Sequence, residues 1–161
     1  MTSFFLSSEI DREAMYKLQF LSSDAAGSHV VSLNVYGKNT SAQAISATIT
    51  IGTEVTGSNL TDLRDQFNAY SSTTGISATL SADKTNIILV QDEGEDIVLE
   101  NVDFASVSNA NTKMRLTGMN FKQDSTGTII EIEDASQTND STRLGGEVNF
   151  HSSHTFSVVA N

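Results

Sequence analysis

The chain has 161 residues, enough for one domain with a real core, and its 20 acidic against 9 basic side chains leave a formal charge of −11. That charge repels phosphate backbones and anionic headgroups, so neither nucleic acid nor a membrane is an expected partner. Cysteine is absent, which excludes disulfides, thiol catalysis and cysteine-ligated metal; proline and tryptophan are also absent, and serine with threonine make up about a quarter of the residues, as on a solvated β surface.

The opening residues Met1, Thr2, Ser3, Phe4, Phe5 and Leu6 lack the basic start and long apolar run of a secretory signal, and no stretch approaches the ~18 apolar residues of a membrane helix. Export, if it occurs, is expected to use signals outside this sequence. Alternation of period two then dominates: Tyr16, Leu18 and Phe20, next Val31, Leu33 and Val35, next Ile45, Ala47, Ile49 and Ile51 predict half-buried strands. The turn-rich stretches 22–27 and 37–41 separate them and favour an antiparallel meander. In 58–70, Leu60, Leu63, Phe67 and Tyr70 fall three and four apart and predict one amphipathic helix, with Ser58 or Asn59 as its N-terminal cap, Asp62 and Asp65 near its positive end, and a stop over 71–75. Strands are predicted over 76–81 and 86–91, joined by a hairpin-length turn, and over 96–102 after the acidic turn Asp92, Glu93, Gly94, Glu95, Asp96. Further alternation at Met114 and Leu116, Ile130 and Ile132, Val148 and Phe150, and Phe156 and Val158 predicts more strands, while 134–146 reads as polar loop. The expected fold class is mainly β (α+β): antiparallel sheets with one amphipathic helix in a β-α-β-β-β module. The expected division is a β-rich body from 1–47 and 103–161, with 48–102 inserted as that module.

The module carries a family resemblance. Thr48-Ile49-Thr50-Ile51-Gly52, Asn59-Leu60-Thr61-Asp62-Leu63-Arg64-Asp65-Gln66-Phe67-Asn68-Ala69, Thr73-Thr74-Gly75-Ile76-Ser77-Ala78-Thr79-Leu80 and Asn86-Ile87-Ile88-Leu89-Val90 resemble the flagellin hook IN motif. In that family an Ile-Asn pair closes an amphipathic helix and a Thr-Gly-Val/Ile-x-Ala strand follows; here Phe67-Asn68 stands at the Ile-Asn position. The segment 145–158, ending Ser152-Ser153-His154-Thr155-Phe156-Ser157-Val158, is similar to the return strands of large flagellins. The resemblance implies a structural, surface-exposed outer (hypervariable) domain of a bacterial flagellar filament protein, extracellular, contributing to filament surface and motility, with neighbouring filament subunits as partners. The motif also occurs in filament cap and hook-associated proteins. The polymerisation helices of the family have no counterpart here, so the isolated chain is expected to be monomeric. The absence of disulfide and proline suits a subunit exported unfolded, as the resemblance implies.

The residues offer little chemistry. His29, His151 and His154 are expected to be surface polar residues; at a spacing of three, His151 and His154 point to opposite faces of a regular strand and do not share a metal. No Gly-x-Ser-x-Gly elbow exposes a nucleophile and no Gly-rich phosphate loop opens a helix, so no enzyme activity, catalytic residue or cofactor is expected. The acidic turn at Asp92–Asp96 could offer hard oxygens to calcium, although it lacks EF-hand spacing and reads equally as a solvated hairpin end. Asn39-Thr40-Ser41, Asn59-Leu60-Thr61 and Asn139-Asp140-Ser141 match the Asn-glycosylation pattern, which recurs by chance. The rival to the filament reading is a carbohydrate-binding or adhesive β module of a tail fibre or adhesin, which would need an exposed aromatic platform or a metal site.

Overall fold

A computed structural model describes residues 9–22, 27–52, 58–104, 112–120, 122–133 and 138–151. The period-two runs form strands as expected: β1 (Glu9–Ser22), β2 (Gly27–Tyr36), β3 (Gln43–Ile51), β4 (Ile76–Leu80), β5 (Asn86–Gln91), β6 (Ile97–Phe104), β7 (Thr112–Met119), β8 (Ser125–Ile132), β9 (Thr142–Leu144) and β10 (Glu147–His151). Two helices, α1 (Thr61–Ala69) and the single turn α2 (Ser71–Thr74), lie between β3 and β4. The turn residues 23–26 and the strand expected around Phe156 and Val158 lie outside the described residues.

The strands build two antiparallel sheets, not one meander. The first runs β4-β5-β1-β7-β8, with β10 also pairing β1; the second runs β3-β2-β6-β9. Only the hairpins β2–β3, β4–β5 and β7–β8 are sequential neighbours; β1 is inserted between β5 and β7. The apolar residues of both sheets face one another and make a single core, in which Phe20 of β1 meets Phe104 of β6 edge to face at 5.7 Å and 84°. Such contacts, at about 1.5–3 kcal/mol per buried large side chain, supply most of the favourable energy.

Helix α1 closes one side of this sandwich. It packs on β3 and β4, the edge strands of the two sheets, with Leu63 and Phe67 buried and Leu60 buried just before it. Leu60 occupies the N-cap position without a side-chain cap of its own, and of the two expected candidates Asn59, one residue earlier, takes the free N–H of the first helical residue. Ser58 instead accepts the Gly52 N–H at 3.0 Å, while Asn59 accepts from the backbone and hydroxyl of Thr61 at 3.1 and 2.7 Å. Two backbone hydrogen bonds between Thr50 and Asn59 hold the entry to the helix against β3. The expected stop becomes α2, ended by Gly75 in the left-handed region at φ 73°.

The segment 48–102 shares its sheets with the flanking chain. Its strands β5 and β6 pair with β1 and β2 respectively, both from the segment before it, and its apolar residues belong to the same core. The reason lies in β1: its 14 residues offer partners on both sides, so β5 completes a sheet with it that the short β4–β5 hairpin could not complete alone. The stretch 134–146, read as loop, contains β9, three residues too short for alternation to register.

Candidate functional site: a polar cleft on the outer face of the second sheet

At the end of β2, alternation sends Val35 into the core and Tyr36 outward. Tyr36 pairs in register with Val98 on β6, and Val98 with Arg143 on β9, so these three make a row across the outer face. The turn after β2 is held by Asn39, whose side chain accepts the Gly37 N–H at 2.8 Å and donates to the carbonyls of Val35 and Ser41 at 3.0 and 2.7 Å. Gly37 is required there, since a Cβ would lie 2.1 Å from the Thr74 carbonyl oxygen.

The acidic turn forms one rim. Gln91, fully buried, accepts the N–H groups of Glu93 and Glu95 on its side-chain oxygen, both at 3.0 Å, and so places Glu95 and Asp96 beside the row. The opposite end is set by a β-bulge. Burial alternation along β6 slips by one residue after Glu100, where Asn101 adopts φ 52° and the pairing with β2 changes register. The freed Asn101 N–H donates to the Ser141 hydroxyl at 3.2 Å and Val102 N–H to the Asp140 carbonyl at 3.0 Å. Those bonds dock the loop before β9 and bring Thr142 and Arg143 to the cleft wall. The result is a cleft of about 570 Å³ lined by Tyr36, Glu95, Asp96, Val98, Glu100 and Arg143 together with the turn and loop residues just named.

Its electrostatics are those of an acidic, hydrogen-bonded surface. Arg143 pairs with Asp96 at 2.5 Å and Lys38 with Glu93 at 2.9 Å. Burial, then the hydrogen bond to Glu100 and that group's charge, raise the Tyr36 phenol above the ordinary tyrosine range. Tyr16 is raised by burial and then by the charge of Asp96, and its hydroxyl donates to the Gly145 carbonyl at 2.9 Å.

The candidate calcium turn thus has two of its carboxylates turned to cations, and among the described residues no three histidine, aspartate or glutamate side chains converge as metal ligands. His29 is a correction: it is buried, 8% exposed, on the inward face of β2 beside Val31, because the alternation of that strand carries it inside. His151 lies on β10, with its side chain outside the description, and His154 is outside the described residues. Of the glycosylation patterns, Asn39 has its amide engaged in the turn, Asn59 is exposed but bonded to Thr61, and Asn139 is exposed. Tyr36, Glu100 and Arg143 belong to no motif or spacing that marks a site in the sequence. The outward parity of Tyr36 was a usable signal, whereas Arg143 lay in a segment read as loop. No protein-family model matches the chain, and no curated protein matches it.

Proposed function

We propose that the chain is a structural outer domain of a bacterial flagellar filament protein, exposed at the filament surface and in contact with neighbouring subunits. One observation carries the reading beyond the resemblance. The first and last described strands, β1 and β10, are antiparallel partners, with Glu9 opposite His151, so the described chain enters and leaves the fold at one place. An insertion between two polymerising segments requires this, because both of its ends return to the same trunk. A module tethered at one end does not. The motif residues add support: Phe67 is buried against the core while Asn68, next to it, bonds to Ala78 of the following strand, which gives the helix-closing pair and the strand after it a physical reason to occur together.

Antibodies raised against the 161-residue chain and applied to intact source cells should decorate flagella along their length. Decoration at the tip alone would favour a cap or hook-associated parent. Labelling of the cell body or of phage-like fibres, with bare flagella, would overturn the proposal. The adhesive-module reading has one observation of its own, the outward aromatic Tyr36 in the cleft.

A further inference from the structure

We infer that the cleft is a saccharide-binding site that takes a neutral pyranose ring. Of the other described aromatic side chains, Phe20, Phe67 and Phe104 are buried in the core and Tyr70 packs on its margin, while Tyr16, also packed against the core, borders a smaller cleft of about 320 Å³ and has its hydroxyl engaged by the Gly145 carbonyl. Tyr36 faces outward and lines a cleft. It stands in register with Val98, so the cleft floor joins an aromatic ring to an aliphatic side chain. A pyranose presents an apolar C–H face and a rim of hydroxyls that both donate and accept, and this floor suits the first while the walls suit the second. Glu95 and Glu100 accept from hydroxyls, and the guanidinium N–H groups of Arg143 that do not face Asp96 donate to them. The carboxylates do not converge as metal ligands, so they are placed as separate acceptors. A volume of about 570 Å³ holds one or two sugar rings, and a floor with a few polar groups around it is the usual composition of a ligand site. The excess of Glu95, Asp96 and Glu100 over Arg143 repels carboxylated sugars, which makes the site selective for uncharged ones. The proposal does not depend on the filament reading, since a cleft of this kind would serve either a filament surface or an adhesin.

The test is a ¹H–¹⁵N titration of the 161-residue chain with neutral oligosaccharides of glucose, galactose, mannose and N-acetylglucosamine, with uronate oligosaccharides and spermidine as separate probes. At least one neutral saccharide should shift the amides of Tyr36, Glu95 to Glu100 and Ser141 to Arg143. Its affinity should fall at least about tenfold in Tyr36→Ala and Glu100→Gln and stay unchanged in Lys17→Gln on the other sheet. Preserved spectral dispersion in each variant separates lost binding from lost fold. No response to any neutral sugar, a response unaltered by Tyr36→Ala, equal binding of uronates, or binding of spermidine alone would each overturn the proposal. Neither antibody labelling of flagella nor its failure bears on this result, so the two proposals fail separately.

Discussion

The side chain of Asn68 and the backbone of Ala78 pair as two strands would: the Asn68 amide donates to the Ala78 carbonyl at 2.9 Å and accepts the Ala78 N–H at 2.8 Å. Ala78 lies on β4, the edge of the first sheet, and the amide takes up the backbone groups that an absent neighbour would leave open. Asn68→Ala should therefore destabilise the fold by about 2 kcal/mol, the cost of leaving two half-buried backbone groups unpaired. Urea melts would measure it, and hydrogen exchange at the Ala78 amide should accelerate in the variant. Unchanged exchange there would contradict the pairing.

Burial on α1 separates two neighbouring substitutions. Phe67, 2% exposed, should cost on the order of 3–5 kcal/mol on change to alanine, whereas Asp65→Ala on the exposed face should cost less than about 0.5. The ion pair of Asp65 with Arg64 does not alter this expectation, since it is at the surface. Equal urea midpoints for the two variants would refute the assignment of faces.

Two glycines give a paired test of packing. In Gly37→Ala the new methyl meets the Thr74 carbonyl at 2.1 Å, and the hydrogen bond from Lys38 N–H to that same oxygen must give way; the expected loss is about 1–3 kcal/mol. In Gly145→Ala the nearest atom is the Asp96 carboxylate at 3.8 Å, an ordinary contact, and the melt should be unchanged.

Lys113 and Arg115 of β7 face Glu131 of β8 and Glu133 just after that strand, with Lys113 3.2 Å from each glutamate and Arg115 2.6 Å from Glu131. The hydrogen bonds from Arg115, then from Lys113, hold the Glu131 carboxyl below its ordinary range. Its contribution is present above the unfolded value of about 4.3 and is lost as the pH falls through the lower folded value. Lys113, raised by Glu131 and then Glu133, behaves oppositely: its contribution is present below the unfolded value of about 10.4 and is lost as the pH rises through the folded one. Thermal midpoints of Glu131→Gln should thus vary less than those of the parent through the acid limb, and ~1 M salt should narrow the difference.

β8 is an edge strand of the first sheet, and in it Thr126, Gly127 and Thr128 stand opposite Gly118 alone in a bulge, with Gly127 at φ 83°. A bulge twists an edge away from further pairing. The chain is accordingly expected to stay monomeric in solution and to form no filaments under flagellin assembly conditions. Deleting Thr126 and Gly127, which removes the extra two residues, should produce concentration-dependent association by light scattering; assembly of the parent chain itself would contradict both statements.

The apolar pattern located nine of the ten strands, closely for β3 to β6 and by only part of their length for β1, β2, β7 and β8, because it registers only where one face lies in the core and one in water. Ser125 to Ile129 of β8 are exposed on both faces and gave no such signal, and α1 followed from the same logic at a spacing of three and four. Pairing was a tertiary decision. The chain order cannot say that β1 lies between β5 and β7, since Leu18 and Phe20 would be buried equally well beside any apolar neighbour, and register follows from which partner completes the sheet. The cleft was decided the same way. Tyr36, Val98 and Arg143 are distant in sequence and meet only because β2, β6 and β9 are neighbours, and Arg143 is aimed by a three-residue strand that no periodicity could reveal. Local spacing determines which face of an element is buried; which elements share a surface depends on long-range contacts that local spacing does not encode.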